Sequence, residues 1–104
     1  MSRPDPATLT SLDELRAGID AIDTELLTLF AERQAHVDSV AGIKAKTGLS
    51  AAAPTRYAAV IDRVRDRAAD AGFDPDIAEG MWRVMIDGFI AQEQQVLGTE
   101  GEDA

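Results

Sequence analysis

The chain has no cysteine, a single histidine, and ten lysines and arginines against nineteen aspartates and glutamates. Without cysteine there are no disulfides, thiolate metal sites or cysteine nucleophiles, and a reducing compartment is favoured. The formal charge of −9 argues against nucleic acid, because phosphate binding needs clustered cations in a favourable field. It also repels a doubly negative small molecule at long range, but salt screens exposed charge over roughly 8 to 10 Å, so a local cation cluster still dominates inside a pocket. No run approaches the roughly 18 apolar residues of a membrane span, and the opening MSRPDPATLTS lacks a basic-then-apolar signal pattern. The expectation is a cytoplasmic protein with no membrane contact.

Apolar periodicity supplies the fold class. Leu12, Leu15, Ile19, Ile22, Leu26 and Leu29 recur at heptad spacing, and Val37, Val40 and Ile43 resume the stripe. Ser11 and Glu14 stand in capping-box spacing, so a first helix begins at Ser11 or Leu12 and runs to about Lys46, before Gly48 stops it. Pro54 fits the first turn of a second helix that ends at Ala71 with Gly72 as its cap. Asp74, Pro75 and Asp76 open a third, carrying Ile77, Met81, Trp82, Met85, Ile86, Phe89 and Ile90 and ending before Gly98. Within it, Gly88 is read as permitting close helix contact. No stretch reads as a strand. The expected organisation is a disordered tail over 1–10, an all-α three-helix domain over 11–97 and a disordered acidic tail over 98–104.

A first helix of this length extends roughly 50 Å, whereas a compact 100-residue domain has a radius of gyration near 13 Å. Two shorter helices cover only part of its stripe, and the remainder must meet a second copy or another protein. The spacing therefore predicts an intertwined homodimer whose sites borrow residues from both chains.

Two cations interrupt that stripe. Arg33 takes the seam position after Leu29, and Lys44 lies at the seam edge eleven residues on. At about 100° per residue the two return to nearly one face, roughly 16 Å apart along the axis, where long side chains can close on one small anion. Charge in an apolar seam costs several kcal/mol unless paired, and no acidic residue fills the matching positions between them. The implied partner is a ligand, a small dicarboxylate. Arg16 and Arg56 are further candidates, although each alone reads as a solvated charge, and Arg16 can pair with Asp20 at i,i+4. His36 reads as a surface or packing residue, Trp82 as core, and Asp20 and Asp23 as structural partners of arginine, since no third ligand converges on a metal. Glu93 is a helix-end carboxylate that gains chemical importance if the third helix delivers it beside Lys44.

The strings LRAGIDAIDTELLTLFAERQ, VAGIK and PTRYAAVI, taken in order and spacing, resemble the all-helical chorismate mutases and the related isochorismate-pyruvate lyases over residues 12–97. The resemblance implies a dimer of three-helix chains without a cofactor. It implies that Arg33, Lys44 and Arg56 bind substrate carboxylates within one chain, that Lys44 also approaches the enol ether oxygen, and that Arg16 reaches across from the partner. Val40 and Ile86 fall where the family packs apolar side chains on the substrate. Three positions depart from the commoner mutase pattern: Glu93 replaces a glutamine, Tyr57 replaces a glutamate that contacts the ring hydroxyl, and Ala53 replaces an aspartate. A carboxylate at 93 repels negative charge developing on the ether oxygen, so Glu93 is expected to work protonated, with activity greatest in mild acid.

The leading expectation is therefore chorismate rearrangement to prephenate, a unimolecular pericyclic reaction that needs no nucleophile, metal or general base. Tyr57 and the stretch AEGMWRVMIDGFIAQEQ keep isochorismate cleavage to salicylate and pyruvate as the alternative. A non-catalytic helical dimer that regulates or docks on another enzyme of aromatic biosynthesis is the third reading.

Overall fold

A computed structural model describes residues 3–48 and 53–97 of the chain. After a 3-10 turn at Pro6–Thr8 come three helices, α1 (Leu12–Thr47), α2 (Pro54–Ala71) and α3 (Pro75–Leu97), with no strand among the described residues. The all-α expectation and the helix boundaries both hold. The chain divides into two units between His36 and Val37, inside α1.

In the first unit, the Ser11 hydroxyl caps α1 by accepting from the Glu14 N–H at 3.1 Å, and it donates to the Glu14 carboxylate at 3.0 Å. Satisfying an otherwise orphaned helix donor in this way is worth about 1 kcal/mol. Within the stretch expected to be disordered, Asp5 accepts from the Ala7 N–H at 2.9 Å and so closes the 3-10 turn, and Arg3 pairs with Glu25. The acidic tail over 98–104 lies outside the described residues. Within the chain α1 buries none of its residues: Ile19, Leu26 and Leu29 remain 55%, 41% and 59% exposed.

In the second unit α2 packs against α3. Ile61 and Ala68 on α2 and Ala78 on α3 are buried, with Val64, Trp82, Met85 and Ile86 half-buried around them. Gly72 ends α2 in the left-handed conformation (φ 79°), which costs glycine little. Its N–H and that of Phe73 satisfy the carbonyls of Ala69 and Ala68, at 3.1 and 2.8 Å. The Asp74 carboxylate then caps α3, accepting from Asp76 N–H at 2.8 Å.

Two polar pins tie the helix pair. Near the end of α2, Arg65 donates to Asp76 and Glu79, each at 2.9 Å. At its start, Tyr57 donates to Asp87 at 2.9 Å. Tyr57 to Arg65 is eight residues up α2, and Asp87 to Glu79 is eight residues down α3, so the pins match an antiparallel register. Gly88 does not mark a close contact within the chain, because a Cβ there would meet nothing within 4 Å. The close helix contact expected at Gly88 is thus not made within the described chain.

Candidate functional site

Lys44 lies in the last turn of α1 and Glu93 in the last third of α3. Lys44 Nζ stands 3.8 Å from Glu93 Oε2, with the two side chains 14% and 11% exposed. That separation is an ion pair but exceeds hydrogen-bond distance, and the buried Glu93 Oε2 has no hydrogen-bond partner. A buried polar oxygen left unbonded costs on the order of 1 to 3 kcal/mol, a cost more typical of functional sites than of structural ones.

A cleft of about 400 Å³ opens beside the pair, lined by Val37, Asp38, Ala41, Gly42 and Ala45 of α1 and by Phe89, Gln92 and Glu93 of α3. Its size falls in the range of about 300 to 1,000 Å³ usual for small-molecule sites. The walls follow from helical periodicity: Val37, Ala41 and Ala45 repeat every four residues, as do Phe89 and Glu93. The α1 wall consists of small side chains apart from Val37 and Asp38, which leaves the space open.

Of the residues singled out from sequence, the structure brings Lys44 and Glu93 together. Arg56 lies exposed in the first turn of α2, Val40 is exposed on α1 and Ile86 is half-buried on α3. Arg16, exposed, and Arg33, half-buried, belong to the first unit. Neither Arg16 nor Arg56 forms an ion pair among the described residues, so the Arg16–Asp20 pairing is not made. His36 takes its bland role, with Nδ1 2.8 Å from the Glu32 carbonyl oxygen one turn back. No cluster of potential metal ligands occurs among the described residues, and no helix is long and apolar enough to cross a membrane.

Tyr57 is held from two sides. Its hydroxyl donates to Asp87, and the Arg83 guanidinium lies 5.6 Å from its ring centroid. Burial, followed by the hydrogen bond to Asp87, pushes the phenol above its usual value, with Arg83 opposing. Arg83 is itself fixed by Glu79 at 2.7 Å. The hydrogen bond from Arg83, reinforced by that from Arg65, holds the Glu79 carboxyl below its usual value against the effect of burial. Ala53, where the family often has aspartate, is buried at the start of α2 with φ 28° and no side-chain cap.

Sequence reasoning missed Asp87, Arg83 and the cleft residues Gln92, Asp38 and Gly42. The available signal was the run of small residues on α1 at four-residue spacing opposite a third helix with Phe89 and Glu93 one turn apart.

The sequence profile of the family described as chorismate mutase type II matches residues 15–94. The T-protein of Haemophilus influenzae is 36% identical over 87 residues, covering 84% of this chain and 23% of that protein. The chorismate mutase of Methanocaldococcus jannaschii is 32% identical over 89 residues, covering 86% of this chain and 90% of that protein. The isochorismate pyruvate lyase of Pseudomonas aeruginosa is 28% identical over 88 residues, covering 85% and 86% respectively. This chain thus spans less than a quarter of the T-protein but nearly all of the M. jannaschii mutase. With the helix order and the Lys44–Glu93 pair in place, the chain belongs to the chorismate mutase type II family.

Proposed function

We propose that this chain converts chorismate to prephenate, and that the observation carrying this is the Lys44–Glu93 pair set beside a cleft of small-molecule size. The rearrangement is intramolecular: the carbon–oxygen bond of the enol ether breaks as a carbon–carbon bond forms, with no atom gained or lost. The protein's work is to hold the flexible enolpyruvyl arm over the ring, which removes unproductive conformers, and to aim donors at the ether oxygen as negative charge builds there. Lys44 supplies positive charge at that oxygen. Glu93, when protonated, supplies a second donor from the oxygen that lacks a hydrogen bond.

Arg33 and Arg56 grip the two carboxylates, since a planar guanidinium binds a carboxylate in two places. Val40 and Ile86 pack on the ring. Arg16 comes from a second copy of the chain. The support for a homodimer is the exposed stripe of Leu12, Ile19, Ile22, Leu26 and Leu29, matched in the second unit by exposed Ile77, Met81 and Val84 on α3. A monomer leaves both in water. The site needs no cofactor, and the compartment consistent with a cysteine-free chain is the cytoplasm.

The test is incubation of purified protein with chorismate. Prephenate formation at a rate well above the uncatalysed background is expected, and its absence would reject the mutase reading. Isochorismate cleavage is the second reading, favoured by the Tyr57 hydroxyl being committed to Asp87 where many mutases present a carboxylate. Salicylate formation from isochorismate, with no prephenate from chorismate, would establish it in place of the first.

A further inference from the structure

We propose that Tyr57 is a positioning residue for Arg56: its hydroxyl, bonded to Asp87, anchors the first turn of α2 to the stretch of α3 that carries Ile86 and Glu93. The inference rests on the mutase reading for the role of Arg56, but the anchoring itself does not.

The N-cap of α2 is Ala53, which makes no side-chain cap hydrogen bond, and the first intrahelical bond runs from Tyr57 N–H to Ala53 O at 3.0 Å. Ala53 is buried but adopts a positive φ of 28°, a conformation unfavourable for a residue with a Cβ. Pro54 presets the backbone of this turn, but the N-cap residue adds no side-chain bond and carries an unfavourable φ, so contacts to α3 gain weight here.

Tyr57 makes those contacts through both parts of its side chain. The hydroxyl reaches Asp87 at 2.9 Å, and the ring lies beneath Arg83, which Glu79 fixes at 2.7 Å. The second pin, from Arg65 to Asp76 and Glu79, lies at the other end of α2. Together the pins fix the axial register of the pair. With the Tyr57 pin cut, the polar tie nearest Arg56 is lost, and the turn bearing Arg56 frays more readily. Because Asp87 is six residues before Glu93 on one helix, the pin holds Arg56 at a set position relative to Glu93.

The experiment compares four variants with wild type in steady-state assays on chorismate and in hydrogen exchange of the segment 54–62. Tyr57→Phe and Asp87→Ala each remove the bond, so KM should rise at least fivefold with kcat within about threefold, and the segment should exchange about tenfold faster. Asp87→Asn keeps an acceptor oxygen and should preserve the wild-type KM. Arg65→Met cuts the far pin and should lower Tm while leaving KM within twofold. A Tyr57→Phe KM within twofold of wild type, or an equal rise in Arg65→Met, would overturn the proposal. Failure of the wild type to form prephenate would instead reject the mutase reading. The anchoring then stands or falls on exchange alone, and an unchanged rate in Tyr57→Phe would refute it.

Discussion

Lys44 Nζ and Glu93 Oε2 face each other at 3.8 Å, paired by charge without sharing a hydrogen bond. The gap matters for chemistry. A tight, fully bonded pair would have no free donor capacity at that carboxylate, whereas here a buried oxygen remains unbonded at the edge of a cleft. Lys44→Ala should lower kcat by about 10² to 10³, the usual loss when one preorganised donor is removed. Circular dichroism should show the helical content unchanged. Activity within threefold of wild type would mean that the reaction, if any, occurs elsewhere.

Glu93→Gln separates the two functions of a side chain at this position, donating a hydrogen bond and carrying charge. Glutamine keeps a donor without the charge, whereas Glu93→Ala keeps neither. If the donor matters, kcat of Glu93→Gln should stay within about threefold of wild type and that of Glu93→Ala should fall by about 10² to 10³. Equal kcat in wild type and both variants would place Glu93 outside the reaction.

Much of this was legible in the sequence. Gly48, Gly72, Pro54 and Pro75 punctuate the chain so clearly that helix limits follow from backbone chemistry alone, and a long apolar stripe with two cations in it pointed to a ligand. Glu93 was visible because it sits one turn after Phe89. The Tyr57–Asp87–Arg83 arrangement was not, because an aspartate on an amphipathic helix reads as solvated unless the register of the facing helix is known. Ala53 shows the same limit, since its burial depends on packing rather than on its neighbours in sequence.

Tyr57 is the only tyrosine in the chain, so phenolate absorbance reports it alone. Burial and the Asp87 hydrogen bond raise its folded-state value above the ordinary one near 10. The folded protein thus keeps the proton longer than the unfolded chain. The associated stability is fully present below the unfolded value and is lost as pH rises through the folded one. Spectrophotometric titration should show a midpoint above that of the urea-unfolded protein, and Asp87→Ala should bring it down. Coincident midpoints for folded and unfolded protein would contradict the hydrogen bond.

Glu79 works in the opposite direction. Held by Arg83 and Arg65, its carboxyl ionises more readily in the folded chain than in the unfolded one. The stability it contributes is present above the unfolded carboxyl value of about 4.3 and disappears as pH falls through the lower folded value. At pH 7 the Tm of Glu79→Gln should therefore lie below that of wild type, and the difference should shrink as pH falls below 4. The loss also releases Arg83 from its place over the Tyr57 ring, so acid should speed amide exchange at the start of α2 in wild type more than in the variant. A Tm difference that persists unchanged at pH 3 would show that the two arginines hold Glu79 by packing and not by charge.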